Sequence, residues 1–188
     1  MINKYPAKTG SLLLSEPFMV DPNFRRSVIL LCAHAEDGSL GFVLNQASTL
    51  NLRQVTDVFP KGEYFDVYIG GPVEQDSLQF LHKSYDKLQS GVEVADGVYW
   101  GGSFETLQIL MEEQAITPAE IKFFLGYSGW QAGQLNAELN SNTWMVGNTY
   151  NPDLIFEKNA DSLWKEAVVA LGPKYAHVAQ FPENPMWN

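Results

Sequence analysis

The sequence predicts a single α+β domain. Strand-like and helix-like runs are mixed without the strict alternation of a doubly wound sheet. One stretch, Arg26 to Asn45, has the pattern of a β-hairpin, and another, Asp161 to Leu171, that of an amphipathic helix. No internal repeat, low-complexity tract or linker divides the 188 residues, a length that builds one sizeable core.

In order, Ser11-Leu12-Leu13-Leu14-Ser15 reads as a short strand stopped by Pro17. Asp21-Pro22-Asn23-Phe24 is a turn, because Pro fixes φ and the Asp and Asn side chains bond the local backbone. The unbroken apolar middle of Arg26 to His34 predicts a strand covered on both faces. Glu36 to Ser39 turns the chain into a partner strand, Leu40 to Asn45. Leu50 to Phe59 reads as a helix of two to three turns ended by Pro60 and Gly62. Strands follow at Phe65–Ile69 and Leu78–His82, then a small hairpin of Val92–Val94 and Val98–Trp100 around Asp96-Gly97. Ser103 caps a helix reaching Ala115, with Phe104, Leu107, Leu110 and Met111 on one side. Thr117-Pro118-Ala119-Glu120 predicts one helical turn and Ile121–Leu125 a strand. Thr143–Val146 is a strand after the polar stop Asn140-Ser141-Asn142. The Asp161 helix buries Leu163, Trp164, Ala167, Val168 and Leu171 and ends at Gly172-Pro173. From about residue 173 the tail reads as irregular, held down by docking of Phe181 and Trp187.

Between these elements lies Gly126-Tyr127-Ser128-Gly129-Trp130-Gln131-Ala132-Gly133-Gln134. Its glycines predict a sharp strand-to-helix turn, with Gly129 in a backbone region costly for other residues and Trp130 buried. Gln134 falls in the first turn of a helix carrying Leu135 and Leu139. Two readings stand side by side: a packed structural corner, or a loop presenting backbone N–H groups to an anion or carbonyl. The spacing is neither a phosphate-loop nor a dinucleotide fingerprint.

The blocks Gly10–Leu14, Pro17, Asp21–Val28, His34, Gly41–Asn45, Gly70-Gly71-Pro72-Val73 and Gly126–Leu135 together resemble, in order, the signature blocks of the YqgE/AlgH family. The resemblance runs from about Gly10 to Trp144. It implies a mostly antiparallel sheet that is branched and partly barrel-like, surrounded by helices, in a protein grouped with bacterial transcriptional regulators. It implies no particular reaction. Where the family commonly reads Asn-Arg-Pro, this chain has Asn45-Gln46-Ala47, which removes a cation from one candidate contact.

Composition narrows the function classes. The chain is 45% apolar and 18% charged, with a net charge of −10 and its 12 cations scattered. Such a chain repels a polyanion unless one face collects the positives, and there is no helix-turn-helix, basic helix or zinc framework in the sequence. The lone Cys32 suits a reducing, cytoplasmic setting, and no apolar run approaches the roughly 20 residues that span a bilayer. The start does not read as a signal peptide.

Cys32 lies within an apolar strand and reads as inert. His34 is a base, a ligand or a turn hydrogen-bonder; His82 and His177 lack metal-ligand spacing with it. No metal or cofactor is expected. Of Arg25-Arg26 one faces inward, paired with a carboxylate such as Asp21 or clamping a ligand. Gly70-Gly71-Pro72 is a rigid turn or a ligand-approach loop. The expected ligand or partner site is Arg26, Ser27, Asn45, Gly71, Pro72, Tyr127, Trp130 and Gln134. Its glycines allow close approach, its aromatics form walls, and Asn and Gln both donate and accept. The expected function is non-enzymatic regulation through an unknown small molecule or protein partner. Alternatives are a DNA-binding regulator and an enzyme using Ser27 or His34.

Overall fold

The computed structural model describes residues 5–59, 61–156 and 160–182. Its strands are β1 (Leu12–Ser15), β2 (Val28–Ala35), β3 (Gly38–Val43), β4 (Ala47–Asn51), β5 (Asp66–Ile69), β6 (Val73–His82), β7 (Val92–Ala95), β8 (Val98–Trp100), β9 (Ile121–Gln131) and β10 (Trp144–Gly147). The helices are α1 (Leu52–Val55), α2 (Tyr85–Leu88), α3 (Phe104–Glu112), α4 (Gln134–Asn140), α5 (Ala160–Ala170) and α6 (Pro173–Ala176).

The sheet runs β10-β1-β2-β3-β9-β6-β8-β7, with β5 and then β4 branching from β9. All its pairings among the described residues are antiparallel except β5 with β9. The branch expected from the family resemblance is present, but the partly barrel-like closure is not. The terminal strands β10 and β7 do not pair, so the sheet stays open. The reason lies in β9. Phe123 to Leu125 pair with β5, while Ser128 to Gln131 pair with β3, so the sheet forks where a barrel would continue.

Gly126 sits at the fork with φ of +68°. Before it, Phe123 enters the core under α1 and α3 and Phe124 the main core under α5; beyond it, Trp130 enters a third core beside α4. One long strand thereby serves three clusters. The apolar runs of β1 and β2 have the same origin. Leu12, Leu14, Val28 and Leu30 face α5, and Leu13, Ile29 and Leu31 face α4, so both sides of the strands are covered.

Further sequence expectations need correction. The glycine-rich stretch is not a sharp turn: β9 continues to Gln131, and the turn is Ala132-Gly133, where Gly133 has φ of +75°. Gly129 has ordinary backbone; Gly126 holds the costly conformation instead. The Leu50–Phe59 helix shrinks to the single turn α1, because Leu50 belongs to β4 and the chain is extended again by Thr56. Ser48 Oγ donates to Val67 O, pinning β4 to β5, and Asn51 and Gln54 form a capping box where the helix starts. Pro60 and, in the tail, Asn184, Pro185 and Trp187 lie outside the described residues. Of the other helices, α3, α4 and α5 stand where the sequence places them, although α3 ends short of the expected Ala115. Thr117 to Glu120 form a hydrogen-bonded turn where the sequence predicts a helical turn, and α2 is not predicted by the sequence at all. Ser103 caps α3, which stops at Glu112 as Gln114 takes φ of +56°, and α5 buries Leu163, Trp164, Ala167 and Val168. The tail is less irregular than expected, forming α6 and a 3-10 turn at Val178–Gln180.

Candidate functional site

The expected site residues fall into three hydrogen-bonded groups. In the first, Asn45 Oδ1 accepts from Val28 N and Asn45 Nδ2 donates to Arg26 O, both at 2.9 Å, closing the start of β2 onto the end of β3. Ser27 N–H donates to Ser15 Oγ, also at 2.9 Å. Arg26 has φ of +48°, uncommon without glycine. Its guanidinium does not pair with Asp21, which instead accepts from Asn23 N and Nδ2. It lies 4.8 Å from the Trp164 ring centroid and donates to Phe181 O. Arg26 Nε and Ser27 Oγ are buried with no hydrogen-bond partner.

In the second group, Gly71 lies flat against β9. A methyl group there would sit 2.3 Å from the carbonyl carbon and oxygen of Tyr127, and Ser128 Oγ donates to Gly70 O at 3.0 Å. Pro72 is exposed beside them. Burial, and then the Glu74 carboxylate, pushes the Tyr127 hydroxyl pKa upward. The first two groups are linked by the Val43 N–H to Gly70 O bond.

The third group lies at the far end of β9. Gln134 Oε1 accepts from Gln131 N, and its Nε2 donates to Glu138 Oε1. Glu138 Oε2 accepts both indole N–H groups of Trp130 and Trp144, at 2.9 and 2.7 Å. Reading the sequence missed Glu138; its spacing from Gln134, one turn on, was the available signal.

His34 Nδ1 meets Ser39 Oγ at 2.7 Å across the β2–β3 turn. Burial pushes the Cys32 thiol far above its usual range. Among the described residues no three His, Cys, Asp or Glu side chains group to hold a metal, and no helix is long and apolar enough to cross a membrane.

A cleft of about 440 Å³ opens elsewhere, and none of the eight expected residues lines it. Glu16 and Pro17 leave β1 on one side; Asn142 and Thr143 come from the α4–β10 connection and Met145 from β10 itself; Lys174, Tyr175, His177, Val178 and Phe181 form the C-terminal wall. Local rules place each wall. Pro17 ends β1, Asn142 leaves α4 with φ of +58°, and Gly172-Pro173 breaks α5 from α6. Glu16 N–H donates to Thr143 O at 3.0 Å, fixing the first two walls together. Arg26, through Phe181 O, holds the third. The sequence shows these positions as element ends and does not show that they meet.

An open, forked, mixed sheet with helices on its faces and a cleft beside its C-terminal helices defines an α+β protein of a distinct type. The AlgH-like family model (DUF179) matches residues 12–176, beyond the stretch that carried the sequence resemblance. The chain belongs to this UPF0301/YqgE-AlgH family. It is 39% identical to a UPF0301 protein of Cytophaga hutchinsonii, covering 95% of this chain and 98% of the relative. It is 37% identical to one of Chlorobaculum tepidum, covering 96% of each. The solution structure of the AlgH protein from Pseudomonas aeruginosa is similar, with a TM-score of 0.72, 30% identity and coverage of 97% of this chain and 98% of that one. A Corynebacterium diphtheriae crystal structure shares the fold, with a TM-score of 0.76 at 21% identity, covering 96% of this chain and 95% of that one.

Proposed function

We propose that this is a non-enzymatic regulatory protein whose cleft takes a small molecule or, failing that, a short segment of a protein partner. The observation that carries the reading is the cleft itself. Its roughly 440 Å³ lies within the range of ligand pockets. Pro17, Met145 and Phe181 give it apolar surface, while Glu16, Asn142 and His177 supply polar groups able to orient a ligand. The net charge of −10 weighs against duplex DNA as the direct target. The single, buried Cys32 suits a reducing compartment such as the cytoplasm.

Native mass spectrometry of the gently purified chain tests the reading against Val178→Trp, which fills the cleft from one wall. A small molecule retained by the wild type and lost from a folded Val178→Trp chain supports it. Equal retention by both, or none by either at saturating metabolite extract, refutes it.

A further inference from the structure

The cleft's C-terminal wall is built unlike the helix it follows. It follows Gly172, whose φ of +111° and ψ of 175° lie in a region essentially reserved for glycine. Nothing lies within 4 Å of where a Cβ would stand there, so packing does not dictate the glycine. Before that junction, α5 buries four side chains; after it, neither α6 nor the 3-10 turn fully buries any. Tyr175, Val178 and Ala179 touch the main core only as half-buried neighbours. Elements with little buried apolar surface open at low free energy.

At its end the wall meets the body through Phe181. Its ring stacks on Phe18 at 5.6 Å, and its carbonyl accepts from Arg26. The Arg26 contact carries a penalty, because its Nε is buried without a partner.

We propose that residues 173–181 form a cover hinged at Gly172 and latched by Arg26, and that its release governs access to the cleft. The functional consequence rests on the cleft being a binding site, but the latch can be measured without any ligand. Hydrogen exchange on the full chain reads it. The amides of 173–181 exchange ahead of those of α5 and β9. Arg26→Asn tolerates the backbone conformation but removes the guanidinium. It accelerates exchange in the cover roughly 10- to 100-fold, the value of one charge-assisted hydrogen bond, and by more than in α5, whose Trp164 also loses its contact with the guanidinium. Phe181→Ala, altered at the other side of the same contact, shifts exchange in the same direction and serves if Arg26→Asn does not fold. Access is read by Met145→Cys on the cleft floor. The reaction of that introduced thiol with an aromatic disulfide reagent accelerates with Arg26→Asn, against a silent Cys32. A cover exchanging in step with α5, or a labelling rate in the Met145→Cys chain indifferent to the latch, overturns the proposal. A responsive latch on a chain that retains no ligand would instead sink the binding reading and leave the cover standing.

Discussion

Glu138 joins two buried tryptophans through one carboxylate oxygen, so its removal has a calculable consequence. Trp130 is 6% exposed and Trp144 1%, and their rings meet edge to face at 6.0 Å. Glu138→Ala takes away the acceptor both indoles share. A buried donor losing its partner costs about 1–3 kcal/mol, so two place the loss at roughly 2–6 kcal/mol. For a chain of this size, at about 2–4 °C per kcal/mol, that corresponds to a fall in Tm of about 4–24 °C. Glu138→Gln keeps one acceptor oxygen and costs less than half as much. Urea unfolding followed by circular dichroism and tryptophan fluorescence measures both variants. A double-mutant cycle with Trp130→Phe sharpens the test. With one indole N–H already gone, Glu138→Ala should cost about 1–2 kcal/mol less than in the wild type. Additive losses, or a Glu138→Ala chain within about 0.5 kcal/mol of wild type, would show that the carboxylate is solvated and holds nothing.

Acid should destabilise the fold in two stages. Burial lowers the His82 pKa from its ordinary 6.5, against the pull of the Ser90 and Gly101 carbonyls, so below about pH 6.5 the unfolded chain takes up a proton that the fold refuses. Glu120 is also partly desolvated, which alone would raise its pKa, but Lys87, Thr117 and Ser84 hold it at about 2. Its contribution is therefore complete above its ordinary 4.5 and drains as the pH falls toward 2. Thermal melts from pH 8 to 3 should show both stages, with His82→Gln flattening the first and Glu120→Gln the second; a profile unchanged by either substitution refutes the assignment. Gly71→Ala should cost about 3 kcal/mol or more in urea unfolding, since its methyl meets the Tyr127 backbone; a neutral result would mean β6 and β9 part easily there. Fluorescence anisotropy with labelled duplex DNA at physiological salt should show no specific complex; a Kd of about 10⁻⁸ M or tighter would overturn the charge argument.

The elements legible in the sequence are those whose pattern is local. The β2–β3 hairpin declared itself through an apolar run, a polar turn and a returning run, and α5 through its face of Leu163, Trp164, Ala167 and Val168. What misled was glycine. Three glycines in Gly126–Gly133 signal a turn locally, yet one marks the fork in β9, one packs beside the Tyr127 ring, and only Gly133 turns the chain. The pairing that keeps Ser128 to Gln131 extended comes from β3, some 90 residues earlier, and no local propensity reports it. Likewise β4 is polar and half exposed, so its Ala47-Ser48-Thr49 run lacks the alternation that identifies a strand. The cleft was illegible for a related reason: its walls are element ends, and their meeting is a product of topology.

The glycine motifs and the cleft are nevertheless connected through one residue. Gly70 O accepts from Val43 at the end of β3, and Asn45, two residues on, grips Arg26 O and Val28 N. That grip sets the direction in which Arg26 leaves the turn, across Trp164 and onto Phe181. A shift at Asn45 would therefore move Arg26, whose guanidinium contacts the cleft's outer wall at Phe181 O. Three other cations also have partners within the chain, from an exposed pair to a buried one. Lys83 pairs with Asp153, Lys87 with Glu120, and Lys122 is buried over Tyr68 with its Nζ donating to Ile155 O. Four of the 12 cations are thus engaged within the fold, which adds to the net charge of −10 as an argument against attraction of a polyanion.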